Sequence, residues 1–334
     1  RMTTTATSSS MTLTAFLKAH AQNTKLKKNS LPEWTHTRIG DSGEALKVSK
    51  LYSGRYRVEE HEEEAFRELV YRDIVLKNGI DYLVERQVAG GPLYIDLDFI
   101  YPTEITTRQH DADWIVDFVT DTIDLLITGG KKALMEIEDK TAVEFFVMQK
   151  DAVNRKEDRT KDGIHIIINL NVPKYVKKEL RDRMIKSDKH KALLDRLPLI
   201  NAPDAKPENI TETSIAEHTY DDGVMIGNTA TTVIGCRKPE HDAYKLHSYG
   251  SFTYDECDGQ WSEDVRPAPA VLPKDLVDCL FVRNTKNVLS LPLTAHGDRI
   301  AQPPAAAACP TAVKREKRMA TAFDGDLEAG ELTN

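Results

Sequence analysis

The sequence predicts a mixed α/β domain of the α+β class, and three observations support that prediction. Short apolar runs typical of strands alternate with amphipathic stretches typical of helices. The length of 334 residues is enough for one large or two ordinary domains with a substantial core. Hydrophobic residues make up 40% of the chain and charged residues 29%, proportions that are typical of globular proteins.

Periodicity and turn residues predict the individual elements. Phe66, Val70 and Ile74 recur at a spacing of four, which predicts an amphipathic helix over 59–78. Residues 1–10 are rich in Thr and Ser and are expected to be disordered. The other predicted elements are a short helix from 11, a strand at 93–101, a helix at 111–127, strands at 141–148 and 164–170, a basic helix from about 174, two strand-like runs in 224–235 and a strand near 243–254. The first three strands and the runs in 224–235 are expected to form one sheet.

Composition disfavours several classes of protein. No run of about 18 apolar residues is present, so no membrane span is expected. The N-terminal residues lack the apolar region of a signal peptide, which predicts that the protein is not secreted. Four cysteines without a C-x-x-C pair favour free thiols in a reducing compartment.

Charge is distributed unevenly along the chain. The net charge of −8, taken alone, argues against a nucleic-acid partner. The segment 174–191, however, holds eight Lys or Arg residues against three acidic residues. Because a local basic stripe can follow a phosphate backbone, this segment is a candidate contact for single-stranded DNA. A solvated helix face is the alternative interpretation.

Two carboxylates interrupt the apolar run LYIDLDFIY at 93–101. Asp96 and Asp98 are two residues apart, so on a strand their side chains lie on the same face. Unpaired buried carboxylates are costly, and hard divalent cations prefer carboxylate oxygens. The pair therefore predicts a divalent metal site, with solvated aspartates at a strand end as the alternative.

A histidine stands within the run KDGIHIIINL, which begins at Lys161 and ends at Leu170. His165 lies on the more polar face of this predicted strand, opposite to Ile164 and Ile166. A histidine there can donate a hydrogen bond to a phosphate oxygen near a metal centre. The alternative is a structural histidine that hydrogen bonds hold in place.

A third polar segment covers 220–246. It places Asp221 and Asp222 before one predicted strand, and Arg237 and Lys238 after the turn that ends the next. Acidic groups for metal ions beside basic groups for phosphates would suit a metal-bound triphosphate. Ordinary turn chemistry is the alternative.

In their order along the chain, these segments resemble the archaeo-eukaryotic primase superfamily, which has a carboxylate pair on a strand, a strand histidine and then a third carboxylate. The closer resemblance is to the primase domain of the primase-helicases of large eukaryotic DNA viruses, of the poxvirus and giant-virus type. The stretches that carry it are PLYIDLDF, KDGIHII and DDGVM running to GCRKP, with THT (35–37), GRYRV (54–58) and YLVERQ (82–87) upstream.

The resemblance implies a mixed-sheet primase core, in which an RRM-like catalytic unit packs against an N-terminal α/β unit. It implies an N-terminal helical/αβ part of the domain at 11–90 and a catalytic core at 91–300. The Ala/Pro-rich stretch 301–334 is expected to be a linker towards a C-terminal superfamily 3 helicase, for which the sequence holds no G-x-x-x-x-G-K-[ST] motif.

The resemblance also implies roles for individual residues. Asp96, Asp98 and Asp221 match the family's ligands for two Mg²⁺ or Mn²⁺ ions. Asp222 is the alternative to Asp221, which lies three residues before Val224 as the family's third acid does.

Further residues match the family's nucleotide site. His165 matches the nucleotide-binding histidine, and the side chains expected beside it at the triphosphate are Lys161, Arg237 and Lys238.

The sequence departs from the family pattern at two positions. Met225 stands where an aromatic residue is common, and Gly163 stands where many members carry Ser. Neither change removes a charge. A zinc site has weak support, since its possible ligands match no tight pair: Cys236, His241, His247 and Cys257.

The function that the resemblance implies is synthesis of short primers on single-stranded DNA from nucleoside triphosphates during viral DNA replication. The expected location is a viral replication compartment in the cytoplasm or nucleus of the host cell. Two other functions fit the same residues: a catalytically silent DNA-binding module that loads a helicase, and a metal-dependent nuclease. The third carboxylate and the R-K-P turn favour the use of nucleotides.

Overall fold

The structure is a computed structural model that describes residues 11–22, 34–128, 130–257 and 259–303. Its strands are, in chain order, β1 (His36–Arg38), β2 (Gly54–Tyr56), β3 (Leu83–Glu85), β4 (Pro92–Tyr101), β5 (Ala142–Gln149), β6 (Asn154–Arg155), β7 (Thr160–Asn171), β8 (Thr231–Thr232), β9 (Lys245–Asp255) and β10 (Gln260–Pro267). Its helices are α1 (Leu13–Ala19), α2 (Gly43–Ser49), α3 (Glu63–Val70), α4 (Ala112–Ile127), α5 (Lys174–Lys186), α6 (Asp188–Asp195), α7 (Ser214–Thr219), α8 (Asp222–Met225), α9 (Lys274–Asp278) and α10 (Ala295–Ala301). The predicted disorder at 1–10 and nearly all of the predicted linker at 301–334 lie outside the described residues.

A large antiparallel sheet carries most of the core. Its strands lie in the order β10, β9, β5, β7 and β4, and β6 also pairs with β7. Because side chains alternate along a strand, Ile95 and Ile166 face one side of this sheet while Tyr94 and Ile167 face the other. Helices α4, α5 and α6 cover the first side, and N-terminal elements cover the second. Both faces are therefore buried, which explains the nearly continuous apolar runs in β4 and β7.

A smaller antiparallel sheet has the order β2, β1, β3 and β8. Leu83 of β3 joins Phe16 of α1 and Phe66 of α3 in one hydrophobic cluster. The same cluster contains Tyr94 and Ile167 of the large sheet, so the N-terminal elements pack on its second face. The two antiparallel sheets with their helices confirm the predicted α+β class.

Most predicted elements are confirmed. The strands at 93–101, 141–148 and 164–170 are β4, β5 and β7, and the helix at 111–127 is α4. The predicted helix over 59–78 consists of a 3₁₀ turn, α3 and a π-helical turn at Tyr71–Val75. The predicted short N-terminal helix is α1, and the strand near 243–254 is β9. Strand β10 was not predicted, because nearly all of its side chains are exposed and leave no apolar alternation.

The prediction of two strands within 224–235 is wrong. Residues Asp222–Met225 form the short helix α8, and only Thr231–Thr232 are a strand. The helix starts because the Asp221 carboxylate accepts a hydrogen bond from Val224 N at 2.8 Å, which caps the first turn. Strand β8 pairs with β3 in the small sheet. The runs in 224–235 therefore do not join the other three predicted strands in one sheet.

The basic segment 174–191 forms two helices instead of one. Helix α5 ends before Ser187, whose hydroxyl caps α6 by accepting a hydrogen bond from His190 N.

Among the described residues, no helix has both the length and the apolar character that crossing a membrane requires.

The buried His190 gives the fold a predicted dependence on pH. Its Nδ1 lies 3.3 Å from the Tyr220 hydroxyl, and its ring contacts Phe118 edge-on. Burial lowers the pKa of His190 to about 4, so the unfolded chain takes up this proton first as the pH falls. We expect this residue to lower the free energy of unfolding by up to about 3 kcal/mol between pH 6.5 and 4.

Urea unfolding of the native chain and of His190→Gln across this pH range measures the effect. As the pH falls, the free energy of unfolding should decrease less steeply in the variant than in the native chain. Part of the decrease should remain in both proteins, because His36 and His165 are also buried. Equal slopes for the two proteins would contradict the prediction.

Candidate active site

A cavity of about 330 Å³ opens on the second face of the large sheet, beside the small sheet. This volume lies at the lower end of the range for small-molecule sites. Its lining contains all seven of the residues that the sequence predicts for the site: Asp96, Asp98, Lys161, His165, Asp221, Arg237 and Lys238. The fold thus brings together three segments that are far apart in the sequence.

The pairing of β4 with β7 places the first two carboxylates. Asp96 and Asp98 lie on the second face of β4, while Leu97 between them is fully buried on the first. In the antiparallel register, Asp96 is opposite His165 and Asp98 is opposite Gly163. The carboxylate pair and the histidine are therefore cross-strand neighbours on one face.

The third carboxylate comes from the segment that leads into α8. Asp221 N donates a hydrogen bond to the Asp96 carbonyl oxygen at 3.3 Å, and Tyr220 forms a bridge to Leu97. This contact sets Asp221 beside β4, where its side chain lines the cavity. The Asp222 side chain instead is 58% exposed and lies 3.7 Å from Arg181.

Electrostatic interactions couple the three carboxylates. Burial, and then the charges of Asp98 and Asp221, raise the pKa of Asp96 well above its ordinary value. Asp96 Oδ1 has no hydrogen-bond partner among the described residues, although His165 Nε2 lies 3.4 Å away. An unsatisfied buried oxygen between two further carboxylates is a position that a cation would stabilise.

Asp98 has an internal cationic partner. Lys161 Nζ donates a hydrogen bond to Asp98 Oδ2 at 3.3 Å. Asp221 also has a partner, because its carboxylate accepts the hydrogen bond that caps α8.

In the part of the chain that the structure describes, no three His, Cys, Asp or Glu side chains converge as a ready-made metal cluster. The donor set fits a hard divalent cation chemically, but the carboxylates would have to exchange these partners for it.

Tyr244 is a site residue that sequence reasoning missed. Its ring stacks on the His165 imidazole, with 3.4 Å between the ring centroids and 20° between the planes. Burial, and then the cations Lys150 and Lys238, lower the pKa of His165, so its imidazole is neutral. The neutral ring can donate one hydrogen bond from whichever nitrogen carries the proton.

The position of Tyr244 explains the glycine in the K-D-G-x-H run. A Cβ on Gly163 would lie 2.6 Å from the Tyr244 hydroxyl and 3.6 Å from Asp98 Oδ1. A serine at this position would therefore require the Tyr244 hydroxyl to move. Gly163 thus leaves the space that the Tyr244 side chain occupies in this structure.

Basic side chains line the cavity together with the carboxylates. Five basic side chains line it: Lys150, Lys156, Lys161, Arg237 and Lys238. Of these, Lys161 pairs with Asp98, whereas none of the other four has an ion-pair partner among the described residues. Lys150 Nζ lies 5.0 Å from the centroid of the Tyr244 ring. Sequence reasoning missed Lys150 because it stands in a polar loop without a motif. The excess of unpaired positive charge here fits a polyanionic ligand.

The four possible zinc ligands do not assemble into one site. Cys236 is fully buried, and burial raises the pKa of its thiol. His247 and Cys257 lie near opposite ends of β9, and strands rise about 3.3 Å per residue. The described residues therefore offer no zinc cluster from this set.

Comparison with known proteins places the chain in a family. No curated protein matches it significantly. The family model for the C962R protein N-terminal AEP domain, where AEP stands for archaeo-eukaryotic primase, matches residues 48–249, which are 202 of the 334 residues. The matched span contains all seven predicted site residues. The chain therefore belongs to this family of N-terminal archaeo-eukaryotic primase domains of viral primase-helicases.

Proposed function

We propose that this chain synthesises short primers on single-stranded DNA by joining nucleoside triphosphates with the help of two divalent metal ions. Membership of the archaeo-eukaryotic primase family implies primase or primase-polymerase activity in the broad sense. The observation that carries the finer proposal is the shared cavity, in which three carboxylates face a set of largely unpaired cations. Its setting would be viral DNA replication inside the host cell.

The basic side chains of the cavity would bind the triphosphate. Arg237 and Lys238 follow the turn after β8, and Lys150 approaches from the end of β5. Arg can bind phosphate oxygens through two parallel hydrogen bonds, and Lys acts as a point charge. His165 would donate a hydrogen bond to a phosphate oxygen, because its neutral ring lies in the same cavity.

The three carboxylates Asp96, Asp98 and Asp221 would hold Mg²⁺ or Mn²⁺. When bound, such ions lower the pKa of an attacking hydroxyl group and neutralise charge on a leaving pyrophosphate. The protein's own contribution would be to position the substrates and to place fixed charges around them. Lys161, released from Asp98, would then be free to bind a phosphate.

The first prediction concerns the carboxylate pair. Asp96→Asn and Asp98→Asn should each lower primer synthesis by about 100-fold or more, because each removes a charge but keeps the shape of the side chain. The measurement is synthesis of labelled primers on circular single-stranded DNA with Mg²⁺ or Mn²⁺. Glu263→Gln is the matched control, since Glu263 is an exposed carboxylate on β10 at the far edge of the sheet.

The same assay separates the competing functions. Loss of template length in the absence of nucleotides would indicate a nuclease. Binding of single-stranded DNA without labelled product, equal in the native and variant proteins, would indicate a silent helicase-loading module.

The second prediction concerns Lys150. Its replacement in Lys150→Met should raise the KM for nucleoside triphosphates by about tenfold, since a hydrogen bond to a charged group is worth about 1.5–3 kcal/mol. The kcat should change less, because the lysine is expected to hold the phosphates in the ground state as well. Lys245→Met is the control, as Lys245 is an exposed lysine paired with Asp151. An unchanged KM in Lys150→Met would remove Lys150 from the nucleotide site.

A further inference from the structure

One stripe of helix α5 contacts the segment that carries Asp221. Lys174, Lys177 and Arg181 are spaced i, i+3 and i+7, so they lie on the same side of the helix. All three hydrogen bond directly, or through one side chain, to residues within 217–228. The sequence predicts the whole segment 174–191 as a candidate contact for DNA, and in the structure the charged groups of these three residues hydrogen bond within the protein.

The two outer residues of the stripe bind this segment directly. Lys174 Nζ donates a hydrogen bond to Asn228 Oδ1 at 2.7 Å. Arg181 donates to two carbonyl oxygens, that of Tyr220 from Nε and that of Glu217 from a terminal nitrogen, both at 2.9 Å. Arg181 therefore holds the backbone of the residue immediately before Asp221.

The central residue reaches Asp221 through a chain of hydrogen bonds. Lys177 Nζ donates to Gln87 Oε1 at 3.0 Å, and Gln87 Nε2 donates to the Val224 carbonyl oxygen at 2.5 Å. Val224 N in turn donates to Asp221 Oδ1 at 2.8 Å. The chain links α5 and the residue two positions after β3 to the first turn of α8.

The burial of Lys177 makes a purely stabilising role a poor explanation. Its residue is only 6% exposed, and no carboxylate forms an ion pair with it among the described residues. A buried cation without a countercharge costs free energy, and burial lowers the pKa of Lys177 to about 8. An apolar side chain of similar length, such as Met, would cost the fold less at this position.

We propose that Lys174, Lys177 and Arg181 of α5, with Gln87, are positioning residues that hold Asp221 at the cavity. The fixed α8 directs the Asp221 carboxylate towards the cavity, and the hydrogen-bond chain adds to the contacts that α8 makes with β4 and α5. This inference rests on the proposed role of Asp221 as a metal ligand. It also explains why Gln87 of the YLVERQ stretch belongs to the site without lining it.

The test compares the native chain with Lys177→Met and with Lys178→Met. Lys178 is the exposed neighbour of Lys177 on the same helix, so both variants remove one positive charge. Binding of Mn²⁺ is measured from the electron paramagnetic resonance signal of the free ion, and thermal unfolding is measured alongside. Removal of a positive charge alone would strengthen Mn²⁺ binding, because the charge repels the ion. Weaker binding would therefore show that Asp221 has lost its position.

Lys177→Met should bind Mn²⁺ about tenfold more weakly than the native chain, as is typical when a partner of a metal ligand is lost. Its melting temperature should be unchanged or higher, and Lys178→Met should match the native affinity. Equal Mn²⁺ affinity in Lys177→Met and the native chain would overturn the inference. A parallel loss of melting temperature and affinity would point to a structural role and overturn it as well.

Two further variants keep the outcomes distinct. Gln87→Leu breaks the same chain at its centre, so it should weaken Mn²⁺ binding as much as Lys177→Met does, and the double variant should lose no more. Additive losses would show that the two residues act separately. If Asp96→Asn binds Mn²⁺ as the native chain does, the proposed metal site fails, independently of the role of Lys177.

Discussion

The antiparallel pairing of β4 with β7 is the constraint on which the rest of the structure depends. Both strands are buried on two faces, so each must offer apolar side chains to the helices on one face and to the N-terminal elements on the other. The register then sets Asp96 opposite His165 and Asp98 opposite Gly163. A shift of one residue would turn both carboxylates into the hydrophobic core, so the packing that stabilises the sheet also fixes the site.

The cavity collects opposite charges that the protein balances only in part. Lys161 neutralises Asp98, and α8 engages Asp221 through a capping hydrogen bond. Asp96 has no such partner, and its pKa rises because burial and its acidic neighbours disfavour the charged form. Lys150, Lys156, Arg237 and Lys238 line the same cavity, and none of them has an ion-pair partner among the described residues. The cavity therefore combines an unsatisfied buried carboxylate with basic side chains that form no ion pair within the described part of the chain.

Helix α5 shows that basic side chains of a charged segment can bind the protein itself. The segment 174–191 holds eight basic residues against three acidic residues, which made it a candidate surface for DNA. Lys177 of α5 in this segment is buried and hydrogen bonds to Gln87. Lys and Arg can pack their aliphatic stems against apolar surface while their heads hydrogen bond to carbonyl oxygens. The number of basic residues in a helix therefore does not by itself show what the helix contacts. The hydrogen-bond partners of each charged group show this.

The sequence by itself determined the central strands β4, β5 and β7, the faces of β4 and β7, and the family resemblance. A period of two is a local property, so it placed Asp96 and Asp98 on one side of β4 and His165 on the polar side of β7. Only the tertiary structure decided that residues 222–225 form a helix, that the Tyr244 ring stacks on His165, and that Lys177 of α5 is buried and hydrogen bonds to Gln87. These features depend on contacts between residues far apart in the chain, which no local pattern encodes.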